Sequence, residues 1–267
     1  MKAGFVQTSP RFGDIQWNVD DAVERIRALC RSTGVALVVL PELFSTGYQF
    51  RSAKEAYALA EDARRGYAAK RLIEAAKEIN VFIVAGLAER SGKKVYNSAA
   101  LIGPRGHVGT YRKAHLFWNE KKIFSPGDTP FEVYKAGEAR VGMMICFDWF
   151  FPEAARTLAL KGADIICHPS NLVLPYCPAA MITRSLENRV YAITANRVGT
   201  EERVLRQRLR FIGTSQITAP DGKVLVRAGR IRPCAHVADL DLKTARDKRI
   251  TPLNDIFKDR MTGFFEL

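Results

Sequence analysis

The 267-residue chain predicts a layered α/β fold, with helices covering the outer faces of mixed sheets. Three observations lead there. Apolar runs of strand length alternate with helical patterns along most of the sequence. Two tight Gly-containing turns insert antiparallel hairpins, so the sheets are mixed rather than purely parallel. A faint internal echo joins the halves: a strand, a helix, VALVVL running into Pro41-Glu42 and further helices answer to RVGMMICF, a helix from Pro152, DIICH running into Pro169 and another helix. Two such halves, each a sheet covered on one face and packed face to face, give a four-layer α-β-β-α sandwich.

Taken in order, Ala3 to Thr8 reads as a strand, and Val19 to Cys30 as an amphipathic helix with Ala22, Val23, Ile26, Leu29 and Cys30 on one stripe and Gly34 as its stop. Val35 to Leu40 is a second, wholly apolar strand. Ala68 to Ile79 repeats the helical spacing through Leu72, Ile73, Ala76 and Ile79. Val81 to Ala88 and Val95 to Ile102 are strands, and Gly103-Pro104-Arg105-Gly106 turns the latter back antiparallel. Pro152 suits the first turn of a helix. Asp221-Gly222 joins Thr214 to Ala219 with Lys223 to Val226 as a second hairpin. No Ser/Gly-rich linker interrupts the chain, so residues 1–267 are expected to form one domain.

Composition narrows the functional classes. With 47% apolar and 26% charged residues the chain is globular, neither disordered nor fibrous. The N-terminus lacks a signal-peptide pattern, and no apolar run approaches the ~20 residues of a membrane span. Five cysteines without a CxxC pair indicate neither a disulfide framework nor a zinc site, which fits a reducing cytoplasm. The net charge of +13 would suit an anionic partner. Its densest stretch, Arg203 to Arg210, lacks any accompanying nucleic-acid-binding signature and reads as a solvated loop or helix face that could meet acidic residues of another subunit.

Three polar residues stand where buried strands end: Glu42, Lys113 and Cys146. In layered α/β proteins such ends bring side chains from distant parts of the chain to one pocket. A carboxylate closing an apolar strand costs several kcal/mol unless a cation meets it, and Lys113 could be that cation. A lone Cys after an apolar strand is most often inert core, the reading kept for Cys30, Cys167, Cys177 and Cys234. Cys146 differs because it opens a strand-turn-helix, where a thiol is exposed above the sheet beside backbone N–H groups that can meet an oxyanion.

The strings LPELFSTGY (Leu40 to Tyr48), YRKAHLF (Tyr111 to Phe117), FSPGD (Phe124 to Asp128), GMMICFDWFFPEAAR (Gly142 to Arg156) and HPSNLV (His168 to Val173) together resemble the successive signatures of the nitrilase, or carbon–nitrogen hydrolase, superfamily. The likeness runs in the family's order over nearly the whole chain and is strongest to its short thermophilic archaeal branch. It implies Glu42 as general base, Lys113 as electrostatic stabiliser and Cys146 as nucleophile. It also implies a supporting role for Glu120, an oxyanion contact from the Phe147 backbone N–H, and substrate contacts from Tyr48, Trp149 and Asn171. No metal or organic cofactor is implied. The expected reaction is hydrolysis of a small nitrile or amide by a homodimer, with the tail from about residue 250, including Phe264-Phe265, packing across the interface. Members acting on N-carbamoyl amino acids carry an Arg just after the nucleophile's acidic neighbour; here Asp148-Trp149-Phe150-Phe151 has no cation, which disfavours that substrate. His115 and His168 are expected to be structural hydrogen-bonding groups.

Overall fold

A computed structural model describes residues 1–265. The first half runs β1 (Lys2–Gln7), α1 (Ile15–Thr33), β2 (Leu37–Val39), α2 (Ala53–Leu59), α3 (Tyr67–Ile79), β3 (Phe82–Ser91), β4 (Lys94–Gly103), β5 (Gly106–Arg112) and α4 (Glu120–Ile123). The second half runs β6 (Val133–Ala136), β7 (Ala139–Met143), α5 (Pro152–Leu160), β8 (Ile165–Pro169), α6 (Cys177–Asn188) and β9 (Tyr191–Ala195). It continues through β10 (Val198–Val204), β11 (Gln207–Ile212), β12 (Gln216–Thr218), β13 (Val224–Arg227), β14 (Cys234–Asp239) and α7 (Leu242–Arg246).

Two six-stranded sheets result, ordered β14-β1-β2-β3-β4-β5 and β6-β7-β8-β9-β12-β13. Read in those directions, both begin with an antiparallel edge, continue through three parallel strands and close with two antiparallel pairings. The faint sequence echo is therefore a structural repeat. The alternation within each strand explains the layering. Ala3 and Phe5 of β1, Leu37 and Val39 of β2 and Val84 of β3 join one core with residues of the second sheet. Val6, Val38, Ile83 and Ala85 point the other way and pack under α1 and α3. Helices α5 and α6 cover the second sheet, giving the α-β-β-α sandwich the sequence predicts. Parallel strands buried on both faces read as continuous apolar runs, which is why VALVVL and DIICH show no alternation.

Local chemistry sets the element ends. Helix α1 begins earlier than its apolar stripe because the Asp14 side chain accepts a hydrogen bond from the Trp17 N–H, and it stops at Gly34 in the left-handed conformation, φ 67°. Pro152 does occupy the first turn of α5. Both expected hairpins form, β4 with β5 and β12 with β13. The basic stretch is a correction: Arg203 to Arg210 is neither loop nor helix but the β10–β11 hairpin, turning at Arg206 with φ 59°. Its acidic partner is in the same chain, since Arg203 pairs with Glu55 at 2.8 Å and lies over the Phe12 ring. Hydrogen bonding between β10 and β11 accounts for the difference, since a two-stranded ribbon needs no helical spacing.

Two close approaches position the site. A Cβ at Gly86 would fall 2.5 Å from the Cα of Glu42, so only glycine in β3 lets the Pro41-Glu42 segment lie against it. Gly127 sits likewise on the Arg112–Lys113 backbone, 2.2 Å from the Arg112 carbonyl oxygen to its notional Cβ, and donates its N–H to the Lys113 carbonyl at 3.0 Å. No helix among the described residues is long and apolar enough to cross a membrane.

Candidate active site

Glu42 follows β2, Lys113 follows β5 and Glu120 opens α4, and the fold buries all three together. The Lys113 Nζ donates to Glu42 Oε1 at 2.6 Å and to both oxygens of Glu120 at 2.9 and 2.8 Å. Asn97 of β4 donates its amide to the same Glu42 oxygen at 2.7 Å. Glu42 Oε2 is left buried with no hydrogen-bond partner among the described residues. Burial pushes the Glu42 carboxyl above the usual carboxylate range and the charge of Glu120 adds to this, against the pull of Lys113. Burial works against the Lys113 ammonium, but Glu120 and Glu42 outweigh it and raise its pKa. Lys113 is thus a fixed cation between two carboxyl groups, and Glu42 is the one with a free oxygen.

Cys146 stands just beyond β7, at the start of a short 3₁₀ turn spanning Cys146–Phe150. Its φ of 40° lies in the left-handed region, which costs a non-glycine residue on the order of 1–3 kcal/mol and persists only where neighbours enforce it. One such neighbour is His168 of β8, whose Nε2–H donates to the Cys146 carbonyl at 2.9 Å. Burial lowers the His168 pKa to about 4, so the ring is neutral at ordinary pH, and Thr194 fills its Nδ1 at 3.1 Å. The thiol itself is held well above its usual pKa by burial and by the charges of Glu42 and Glu120. Lys113 and the Asn171 backbone N–H act in the opposite sense. At rest the group is a neutral thiol beside a carboxyl that is a stronger base than an exposed one.

The remaining expected residues separate into two groups. Trp149 and Asn171 line one small cleft with Cys146, Phe117, Leu172, Val173 and Leu174. Both polar atoms of the Asn171 amide are buried without a hydrogen-bond partner among the described residues. Phe147 directly follows Cys146 in the turn, its ring against Phe117 and Phe151. Tyr48 instead donates its hydroxyl to Glu120 Oε1 at 2.7 Å, and so buttresses the ion cluster. Its backbone N–H is held by Glu201 of the β10–β11 hairpin, which is itself paired with the buried Arg197. Among the described residues no cluster of three or more His, Cys, Asp or Glu side chains is arranged to hold a metal ion.

This arrangement, a buried thiol with a carboxyl base and a fixed ammonium, is equipped for nucleophilic attack on an electrophilic carbon. Residues 2–250 match the family model described as carbon-nitrogen hydrolase. The chain belongs to the carbon–nitrogen hydrolase family. Among curated relatives it is 48% identical over 265 residues to a nitrilase of Pyrococcus abyssi, covering 99% of each chain. It is 35% identical to an (R)-stereoselective amidase of a Pseudomonas species, over 97% of this chain and 91% of that one. An N-carbamoylputrescine amidase of Arabidopsis thaliana is 30% identical, over 95% and 90%. Of solved structures, a carbon-nitrogen hydrolase from Helicobacter pylori G27 superposes with a TM-score of 0.89 at 25% identity, covering 99% of this chain and 96% of that one. An amidase from Nesterenkonia sp. AN1, carrying acrylamide added to its active site cysteine, superposes with a TM-score of 0.78 at 27% identity, over 93% and 96%.

Several residues of this hydrolase that hold the site together escape a reading of the sequence. Asn97 sits beside Ser98 in the buried strand β4, and its only signal is a polar residue in that strand. Asp148 is fully buried and takes hydrogen bonds from both sides of the site. Glu201 reads as one more charge in a charged hairpin, yet it is buried.

Proposed function

We propose that the hydrolase cleaves a small, uncharged nitrile or amide, with Cys146 as nucleophile, Glu42 as general base and Lys113 as the fixed cation. The observation that carries this reading is Glu42, whose Oε1 is held by Lys113 and Asn97 while its buried Oε2 has no partner among the described residues. A free carboxyl oxygen whose charge acts on the neutral thiol supports the reading of Glu42 as the base that takes its proton. As the thiol loses its proton to Glu42, sulfur bonds to the substrate carbon. An amide gives a tetrahedral oxyanion stabilised by Lys113 and by backbone N–H groups, with Phe147 and Asn171 the candidate donors. Glu42 returns the proton to the departing amine, leaving a thioester. Water, giving its proton to the same carboxylate, then releases the acid and restores the thiol. A nitrile gives a thioimidate first, and ammonia leaves once water has added. Glu120 keeps Lys113 in place, and Tyr48 keeps Glu120 in place.

The cleft beside Cys146 encloses only about 20 Å3 and is walled by Phe117, Trp149, Leu172, Val173 and Leu174, which supports a small apolar substrate. Residues 148–151 supply no cation to clamp a carboxylate, and this disfavours N-carbamoyl amino acids. Carbamoyl amines need no such clamp and are the alternative. A cytoplasmic location is part of this proposal, and five unpaired thiols support it. A homodimer is proposed through the face where Leu160 and Phe265, both exposed, line a groove with Pro152 and Arg260. Neither a nucleic acid nor a membrane is proposed as a partner.

Ammonia release from matched nitriles, amides and a carbamoyl amine, with Cys146→Ala as the blank, tests the reading. Release from nitriles alone makes the chain a nitrilase, and release from amides alone an amidase. Activity confined to the carbamoyl amine selects the alternative, and turnover surviving in Cys146→Ala removes the nucleophile.

A further inference from the structure

The catalytic groups come from two different sheets, so something must fix one sheet's contribution against the other's. Lys113 ends β5 of the first sheet and Cys146 ends β7 of the second. Asp148 joins them. Its side chain is fully buried, and four donors converge on it. Oδ2 accepts the Ile145 N–H at 2.8 Å and the Tyr111 hydroxyl at 2.8 Å. Oδ1 accepts the His115 backbone N–H at 3.2 Å and the His115 ring Nδ1–H at 2.7 Å. The Tyr111 hydroxyl accepts the Ala114 N–H at 3.0 Å in turn. One carboxylate therefore holds Tyr111 and His115 directly and Ala114 through Tyr111, residues that bracket Lys113, together with the Met144–Ile145 peptide just ahead of the Cys146 turn.

We infer that Asp148 is the positioning residue that locks the Lys113 loop to the Cys146 turn, with Tyr111 and His115 as the arms through which it acts. The chemistry of the donor set requires a carboxylate. An ionised carboxylate is acceptor-only with about four lone-pair sites, and here four donors face it. An amide of the same shape would turn an NH2 group against an N–H or O–H on one side. The His115 arm is itself held flat against the Phe151 ring, with centroids 3.7 Å apart and planes 12° apart. On the far side of the nucleophile, His168 grips the Cys146 carbonyl. The left-handed backbone of Cys146 is thus fixed at both of its peptides, the preceding one by the Asp148 backbone N–H, which donates to the Ile145 carbonyl at 3.0 Å, and the following one by His168.

The inference rests on Cys146 and Lys113 having the roles proposed above, and its test separates the two. In Asp148→Asn, kcat is expected to fall by about 100-fold or more while KM moves by less than about 3-fold, the signature of misplaced reacting groups rather than lost binding. Alkylation of Cys146 by iodoacetamide, followed by peptide mass spectrometry, gives a readout that needs no substrate. In the parent enzyme the reaction persists at pH values below ordinary thiol titration because Glu42 takes the proton. In Asp148→Asn that low-pH reactivity is expected to be lost, the rate falling as pH drops because the buried thiol no longer passes its proton to Glu42. Should Asp148→Asn not fold, His115→Ala and His115→Asn decide: Ala is expected to lose about 10-fold in kcat, and Asn, whose amide N–H can stand in for the ring Nδ1–H, to recover most of it. A folded Asp148→Asn with unchanged kcat and alkylation profile, or His115→Ala and His115→Asn both as active as the parent, would overturn the clamp. Turnover persisting in Cys146→Ala would instead overturn the nucleophile while leaving the clamp's alkylation test intact.

Discussion

In the first sheet β2 runs to Val39 and leads through Pro41 into Glu42; in the second, the matching strand β8 ends at Pro169 and leads into Asn171. The same pairing pattern delivers a charged group from one half and a neutral one from the other. Glu42 and Glu120 of the first half share one ammonium, Lys113, out of water, and the three are stable only as a set. Cys146 and His168 of the second half carry no charge at rest, and are held by backbone geometry and neutral hydrogen bonds. Under the proposed mechanism the duplicated architecture divides the reaction between an electrostatic half and a nucleophilic half. Each half should then fail in its own way when altered.

The largest effect is expected in the nucleophilic half. Cys146→Ala should lower turnover by roughly 10⁴-fold or more, read as ammonia release, with the unfolding midpoint little changed because one sulfur is lost. In the electrostatic half, Glu42→Gln should lower kcat by roughly 10²–10⁴-fold while Glu120 still holds Lys113. The parent enzyme's kcat/KM should fall as pH drops through the Glu42 pKa, because the protonated carboxyl cannot take the thiol proton. Since that pKa is raised, the acid limb belongs above 4.5, and an acid limb below 4.5 would break the assignment.

Stability gives the sharper contrast. Lys113→Met leaves Glu42 and Glu120 buried without their cation, and breaking such a set costs about 3–5 kcal/mol, measurable by urea denaturation. A loss below 1 kcal/mol would mean that the two carboxyl groups do not depend on the ammonium. In the other half the pH dependence is the measure. His168 titrates at about 4 when folded and near 6.5 when unfolded, so between these values the unfolded chain holds a proton that the native one refuses. Native stability should therefore decline as pH falls from 6.5 to 4, by on the order of 3 kcal/mol from this group, and level off below. Comparing parent and His168→Asn unfolding curves across that window isolates the contribution.

Much of this was legible in the residues. Gly34, Pro152 and the two hairpin turns mark element boundaries because their backbone preferences act locally. The five motifs brought Glu42, Lys113 and Cys146 forward together, and the fold brings Glu42 and Lys113 to 2.6 Å. Tyr48 was legible as a residue of the site but not as the support of Glu120, since a hydroxyl's partner 72 residues away leaves no trace in spacing. The Arg203–Arg210 stretch is solvated, as its charge suggests, but its pairing as a hairpin and the burial of the neighbouring Glu201 against the Tyr48 segment depend on contacts that spacing does not carry.

The sequence by itself determined the alternation of strands and helices, the mixed sheets and the identity of the residues that end the buried strands, because periodicity and turn chemistry depend on near neighbours. Only the tertiary structure decided which oxygen of Glu42 is engaged, how far burial raises the Cys146 thiol, and that Asp148 bridges the two sheets. Those properties arise from desolvation and from hydrogen bonds between segments far apart in the chain, and they exist only once the two sheets have closed on each other.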